Sequence, residues 1–223
     1  MRHREVPQAK VGNLSDENEQ RKSNRPPGGA SAVADEILAE NATNRVAQLG
    51  KELLDDKPTT STQAARVLSD LIVKKADLMV PLVDRFCVAI ESENRRVVQT
   101  AAEALPEIAK LAPARVAKQL DKLREAFAKT PDIGKHGLVQ TFANLCIASV
   151  AYQKRLEPIL SEALGGAEPK TLVDWTKIVL PALKGEPHAN ARAVVEKRLY
   201  EIPKPQAQEI ADFLGIKLRV RTN

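Results

Sequence analysis

From Ser31 onward, apolar residues recur every three to four positions, the spacing that lines up one face of a helix. Stretch 94–111 shows the pattern well. Val97, Ala101, Ala102 and Leu105 belong to the apolar face, while Arg96, Glu103, Glu107 and Lys110 fall outside it. The pattern is punctuated. Pro follows a capping or flexible position at Thr130-Pro131, Glu168-Pro169, Glu186-Pro187 and Lys204-Pro205, where a first helical turn tolerates a missing N–H. Gly165-Gly166, Gly185 and Gly215 mark helix ends. These signals predict helices over 31–42, 45–56, 60–75, 77–91, 94–111, 114–129, 132–151, 154–164, 169–184, 188–201 and 205–214. Short loops between them make neighbouring helices antiparallel.

The helices echo one another. With Ala65, Ala102 and Ala143 in register, segment 64–71 falls on 101–108, and 139–147 falls on 98–106. Segment 174–183 falls more weakly on 141–150, and the intervening helices place Pro81 and Pro158 alike before apolar pairs. A two-helix unit of about 33–41 residues marks a helical solenoid. The expected fold is therefore all-α, a right-handed α-solenoid of about five antiparallel helix pairs. Small residues at 64, 65, 101, 102 and 143 leave room for neighbouring backbones.

The segment NRRVVQTAAEAL at 94–105, with the Pro81-bearing helix before it, resembles a HEAT repeat. Asn94, Val97, Ala101, Ala102 and Leu105 fit that family's pattern, and Val98 stands where the family usually has Arg. The resemblance covers residues 45–201 in four or five pairs and implies the solenoid fold. It leaves function open, because such arrays host many activities.

Composition changes this picture little. The chain has 223 residues, 43% hydrophobic and 28% charged, with only 3% aromatic, a balance that favours helices over strands. Its net charge of +5 permits anionic partners without requiring them. Residues 1–30 lack sustained periodicity and read as a flexible basic tail ending at Pro26-Pro27-Gly28-Gly29. The helical repeat domain spans 31–215, and 216–223 form an extended basic tail. Cys87 and Cys146 sit in apolar helical patterns, as buried reduced thiols do. The apolar runs are too short to span a bilayer, and the N-terminal residues lack the apolar core of a signal peptide, so a cytoplasmic protein without a membrane role is expected.

Candidate chemistry is sparse. There is no Gly-rich phosphate loop, no His–Glu metal pair and no Gly-x-Ser-x-Gly elbow, so neither catalytic nor metal residues nor a cofactor is expected. His136 and His188 lie at helix starts and read as solvated, and Trp175, beside Asp174, reads as filler between the last repeats. The outward positions of the second helices are Arg66, Asp70, Arg96, Glu103, Glu107, Lys110, Gln140 and Asn144. That mixture suits a protein-facing groove better than a phosphate channel, which would collect Lys and Arg.

Two further surfaces compete with it. Arg115, Lys118, Lys122 and Lys129 would share a face of helix 114–129, where they offer anion or nucleic-acid contacts together with the basic tail. Ile216, Leu218 and Val220 alternate with basic residues and could add a strand to a partner's sheet edge. The expected function is a non-enzymatic scaffold or adaptor for a protein partner. The alternatives are a nucleic-acid-associated protein and a DNA glycosylase of the HEAT-like type. Resemblance to the glycosylases would imply several aromatic side chains and a carboxylate around an extruded nucleotide. Phe86, Phe127 and Phe142 fall on apolar stripes, which leaves Trp175, Tyr152 and Tyr200, far apart in sequence.

Overall fold

The computed structural model of the chain describes residues 29–218, and those residues are helical with no strand among them. In chain order the helices are α1 (Ala30–Ala39), α2 (Thr43–Glu52), α3 (Pro58–Lys75), α4 (Val83–Ala89), α5 (Arg95–Leu111) and α6 (Pro113–Ala117). Then follow α7 (Leu120–Lys129), α8 (Asp132–Ala148), α9 (Val150–Gly166), α10 (Pro169–Val179), α11 (Gly185–Arg198) and α12 (Lys204–Leu214). Tighter 3-10 turns at Ala76–Leu82 and Leu180–Ala182 lead into α4 and out of α10, and each contains a proline, Pro81 or Pro181.

Local chemistry sets the ends. Asn94 caps α5 by accepting the Arg96 N–H at 3.0 Å, and the Ser149 hydroxyl accepts the Ala151 N–H at the start of α9. Gly215 closes α12 in the left-handed conformation (φ 67°), and the Ile216 N–H reaches back to the Ala211 carbonyl. Gly165 and Gly166 remain the last residues of α9, and Gly185 begins α11.

Helices pack on neighbours two or three places further along the chain. α1 packs on α3, α3 on α5, α5 on α8, α8 on α10, and α10 on α12; α9 packs on α11. For α3 with α5, α5 with α8 and α9 with α11 the contacts advance in the same direction along both partners, so these pairs run parallel. Asn94 of α5 donates to Thr62 of α3 at 2.9 Å, and further along Ser69 of α3 donates to Glu103 of α5, also at 2.9 Å. Gln153 of α9 accepts from the Lys184 N–H, and Arg198 of α11 donates to the Ala167 carbonyl beyond the far end of α9. Long-range side-chain hydrogen bonds span from 29 positions (Gln153 to Ala182) to 43 positions (Lys74 to Ser31).

The core runs through the interior as one cluster that includes Leu68, Phe86, Leu105, Leu138, Phe142, Leu160 and Val179. Ala65, Ala102 and Ala143 are all buried in it. Val98 is fully buried. The link between α3 and α5 comes from Asn94, which donates to Thr62, and from Thr100, whose hydroxyl lies 2.9 Å from that of Ser69.

Candidate functional site

The outward residues of α3, α5 and α8 are largely engaged within the protein. Arg96 donates to Gln99 at 3.2 Å, and Gln99 donates to Glu103 at 2.9 Å. Glu103 also accepts from Ser69, whose hydroxyl lies 2.9 Å from that of Thr100. A hydroxyl has one proton, so a consistent order runs from Thr100 to Ser69 to the Glu103 carboxylate. Asn144 donates to the Pro106 carbonyl at 3.0 Å, and Lys110 pairs with Glu107 at 2.7 Å. Gln140 meets His136, Asp70 is half-buried, and Arg66 is exposed. Of these outward residues, Glu103 and Asn144 therefore join neighbouring helices, while the bonds given for the others lie within one helix.

The four cations expected on one face do not share a helix. The chain breaks between α6 and α7 at Lys118 and Gln119, where the Gln119 carboxamide donates to Asp84 at 2.6 Å. Arg115 thus falls before the break, Lys118 in it, and Lys122 and Lys129 after it; Lys129 lies 3.7 Å from Glu91. At the C-terminus, Ile216 and Leu218 are half-buried against the core, and Val220 lies outside the described residues.

A concavity lined by aromatic side chains lies elsewhere. The ends of α7 and α9 and the beginnings of α8 and α10 enclose a groove of about 620 Å³. Its apolar lining is Phe127, Ile159, Ala163, Ala167 and Trp175. Phe127 stands between Phe142 and Trp175, with ring centroids 6.3 and 6.5 Å away and tilted rings, an arrangement the aromatic quadrupole favours. Trp175 is only 5% exposed, so it fills the helix interface and also walls the groove.

Its indole N–H donates to His136 Nδ1 at 3.0 Å. An indole can only donate, so this nitrogen of His136 is unprotonated and the neutral ring carries its proton on Nε2. The Gln140 carboxamide nitrogen lies 3.1 Å from Nε2, and exchanging the amide's nitrogen and oxygen, which are alike in shape, gives Nε2–H an acceptor there. His136 is thus the link between α8 and α10. Its place at a helix start gave no hint of this, because its partner lies 39 positions on.

Around the apolar lining stand the exposed carboxylates Asp132, Glu162, Glu168 and Asp174, with Arg124 and Lys135. Arg124 lies 4.0 Å from Asp121, outside the groove. None of the four groove carboxylates has an ion-pair partner among the described residues. Asp132 in the first turn of α8 and Glu168 at the N-cap of α10 have favourable places at helix N-termini. Glu162 and Asp174 have no such local role. The grouping of Phe127 with Trp175 and Asp174 was hidden in sequence, where Phe127 reads only as part of an apolar stripe.

A second groove of about 750 Å³ lies between the end of α2, the start of α3, and α4 and α7, beside Cys87. Burial, then the nearby Asp84 carboxylate, pushes the Cys87 thiol up to about 12, and burial alone does the same to Cys146. Neither is poised as a nucleophile, since the thiolate is the reactive form. Among the described residues no cluster of three or more His, Cys, Asp or Glu could hold a metal ion, and no helix is long and apolar enough to cross a membrane. Exposed apolar side chains Val73, Leu111 and Ile147 sit near the C-terminal ends of the parallel helices α3, α5 and α8, and Val150 begins α9.

No protein-family model matches the chain, and no curated protein matches it significantly.

Proposed function

We propose that the chain is a HEAT-like right-handed solenoid that serves as a non-enzymatic cytoplasmic scaffold, docking a protein partner in the groove between α7, α8, α9 and α10. The observation that carries this reading is the groove itself: a buried aromatic and aliphatic lining inside a rim of charged side chains, the make-up of a recognition site. The nearly constant sequence span of the bonds between helices supports the repeat architecture. Affinity capture with the full chain tests the docking. A discrete protein retained after nuclease treatment, and lost when Ala128→Trp fills the groove from an exposed position, is the expected result.

One observation favours a second reading. Phe127, Trp175 and Asp174 share a concavity, as a HEAT-like DNA glycosylase would require. Four carboxylates against two cations make that concavity a poor host for phosphates, so the protein-docking reading stands first. Release of free base from duplex DNA containing N-methylated purines would reverse the order.

A further inference from the structure

Resting on the docking reading, we propose that the groove receives a lysine or arginine side chain from a basic peptide segment of the partner. The two halves of the groove suit the two halves of such a side chain. Phe127 and Ile159, half-buried, and Ala163 and Trp175, buried, offer apolar contact to an aliphatic stem. Glu162 and Asp174, both exposed, stand at the rim where a cationic head would lie, with Asp132 and Glu168 adding to the negative field.

Charge complementarity selects this occupant over an anionic one. The rim carries four carboxylates that no described cation pairs, and one of the two cations, Arg124, is drawn toward Asp121. An acidic peptide or a phosphate backbone would meet like charge there. A purely apolar segment would cover the lining but leave the rim carboxylates partly desolvated without partners, which costs free energy. A long cationic side chain satisfies both zones. The volume, about 620 Å³, falls within the range of concave sites that enclose a ligand.

The experiment uses the full chain and fluorescence anisotropy with a labelled Gly-Arg-Ala-Arg-Ala-Arg-Gly peptide. The comparison probe has citrulline in place of each arginine, which keeps the shape and removes the charge. The arginine peptide is expected to bind at least tenfold more tightly, with affinity falling as salt rises. The double variant Glu162→Gln/Asp174→Asn should weaken it by about five- to tenfold, as the loss of two exposed charge contacts allows. A control, Glu36→Gln/Glu186→Gln, changes the net charge equally at exposed sites away from the groove and should leave affinity unchanged. Thermal melts of both variants verify the fold.

Equal affinity for the two peptides would overturn the proposal, as would an affinity indifferent to the groove variant or reduced equally by the control. A lysate partner blocked by Ala128→Trp but indifferent to Glu162→Gln/Asp174→Asn would remove the cationic occupant and leave the docking reading standing. Tighter binding of duplex DNA than of the arginine peptide would remove both.

Discussion

Gly137 of α8 lies so close to Ala102 of α5 that a Cβ at 137 would sit 2.5 Å from both the Cα and the Cβ of Ala102. It would also lie 2.6 Å from the Ala102 carbonyl oxygen. That oxygen has no partner four residues on, because Pro106 has no N–H to offer. Two sequence choices thus meet at one point. Proline leaves a carbonyl without its helical bond, and glycine lets the backbone of α8 come close to it.

Gly137→Ala should therefore destabilise the protein despite alanine's better helix propensity. The obstacle is backbone, which cannot rotate away, and overpacking of this kind costs about 1–3 kcal/mol. Ala102→Leu should cost a similar amount from the other side of the contact. For a chain of this size, a melting temperature lower by roughly 2–12 °C is expected, and an unchanged melt for Gly137→Ala would mean that α5 and α8 are further apart than described.

Thr130 fastens the end of α4 to the start of α8. Its buried hydroxyl donates to the Ile90 carbonyl at 2.6 Å, and the space its side chain occupies is where a Cβ on Gly134 would be. Thr130→Val keeps the shape and removes the donor, leaving a carbonyl short of a partner at a cost of about 1–3 kcal/mol. Thr130→Ser should retain most of that bond, so urea midpoints should rank wild type, then Ser, then Val.

Much of the frame was legible in the sequence, and the reasons can be traced to particular residues. Helix α5 was legible because Asn94 and the period of Val97, Ala101 and Leu105 speak locally. The buried alanines at 65, 102 and 143 were legible as small residues in register. The break at Lys118 and Gln119 was not, since it contains neither Gly nor Pro and is pinned by Asp84 from another helix. The groove was hidden for the same reason. Phe127, His136 and Trp175 come from three helices, and the bond joining the last two spans 39 positions.

Trp175 is the sole tryptophan, so its emission reports directly on the groove. His136→Ala removes the acceptor for the indole N–H and should change the emission spectrum and lower stability by about 1–2 kcal/mol. An emission spectrum unchanged by His136→Ala would place the partner of the indole N–H elsewhere.

The two thiols should resist alkylation at pH 8 in the folded protein and react fully in denaturant. Both are pushed up from the ordinary 9.0 to about 12. Below pH 9 both folded and unfolded chains keep the proton, and this contribution to stability is fully present. Between pH 9 and about 12 the unfolded chain ionises first, so stability falls as pH rises. Cys87→Ser and Cys146→Ser would each reduce that alkaline slope, measurable as a smaller loss of melting temperature between pH 8 and 10.

The reach of the side-chain bonds has a consequence for how the chain acquires its structure. Bonds that join residues 29 to 43 positions apart close loops of moderate and nearly uniform size. Closure entropy grows only slowly with loop length, so no one pairing among them carries an outsized kinetic penalty. In the solenoid proposed above, ordering can start on any adjacent trio of helices and extend outward, and a growing nascent chain can consolidate its first helices while later ones are still being made. Under mechanical load such a solenoid would yield stepwise, from an end, as a stack sheds its outermost layer.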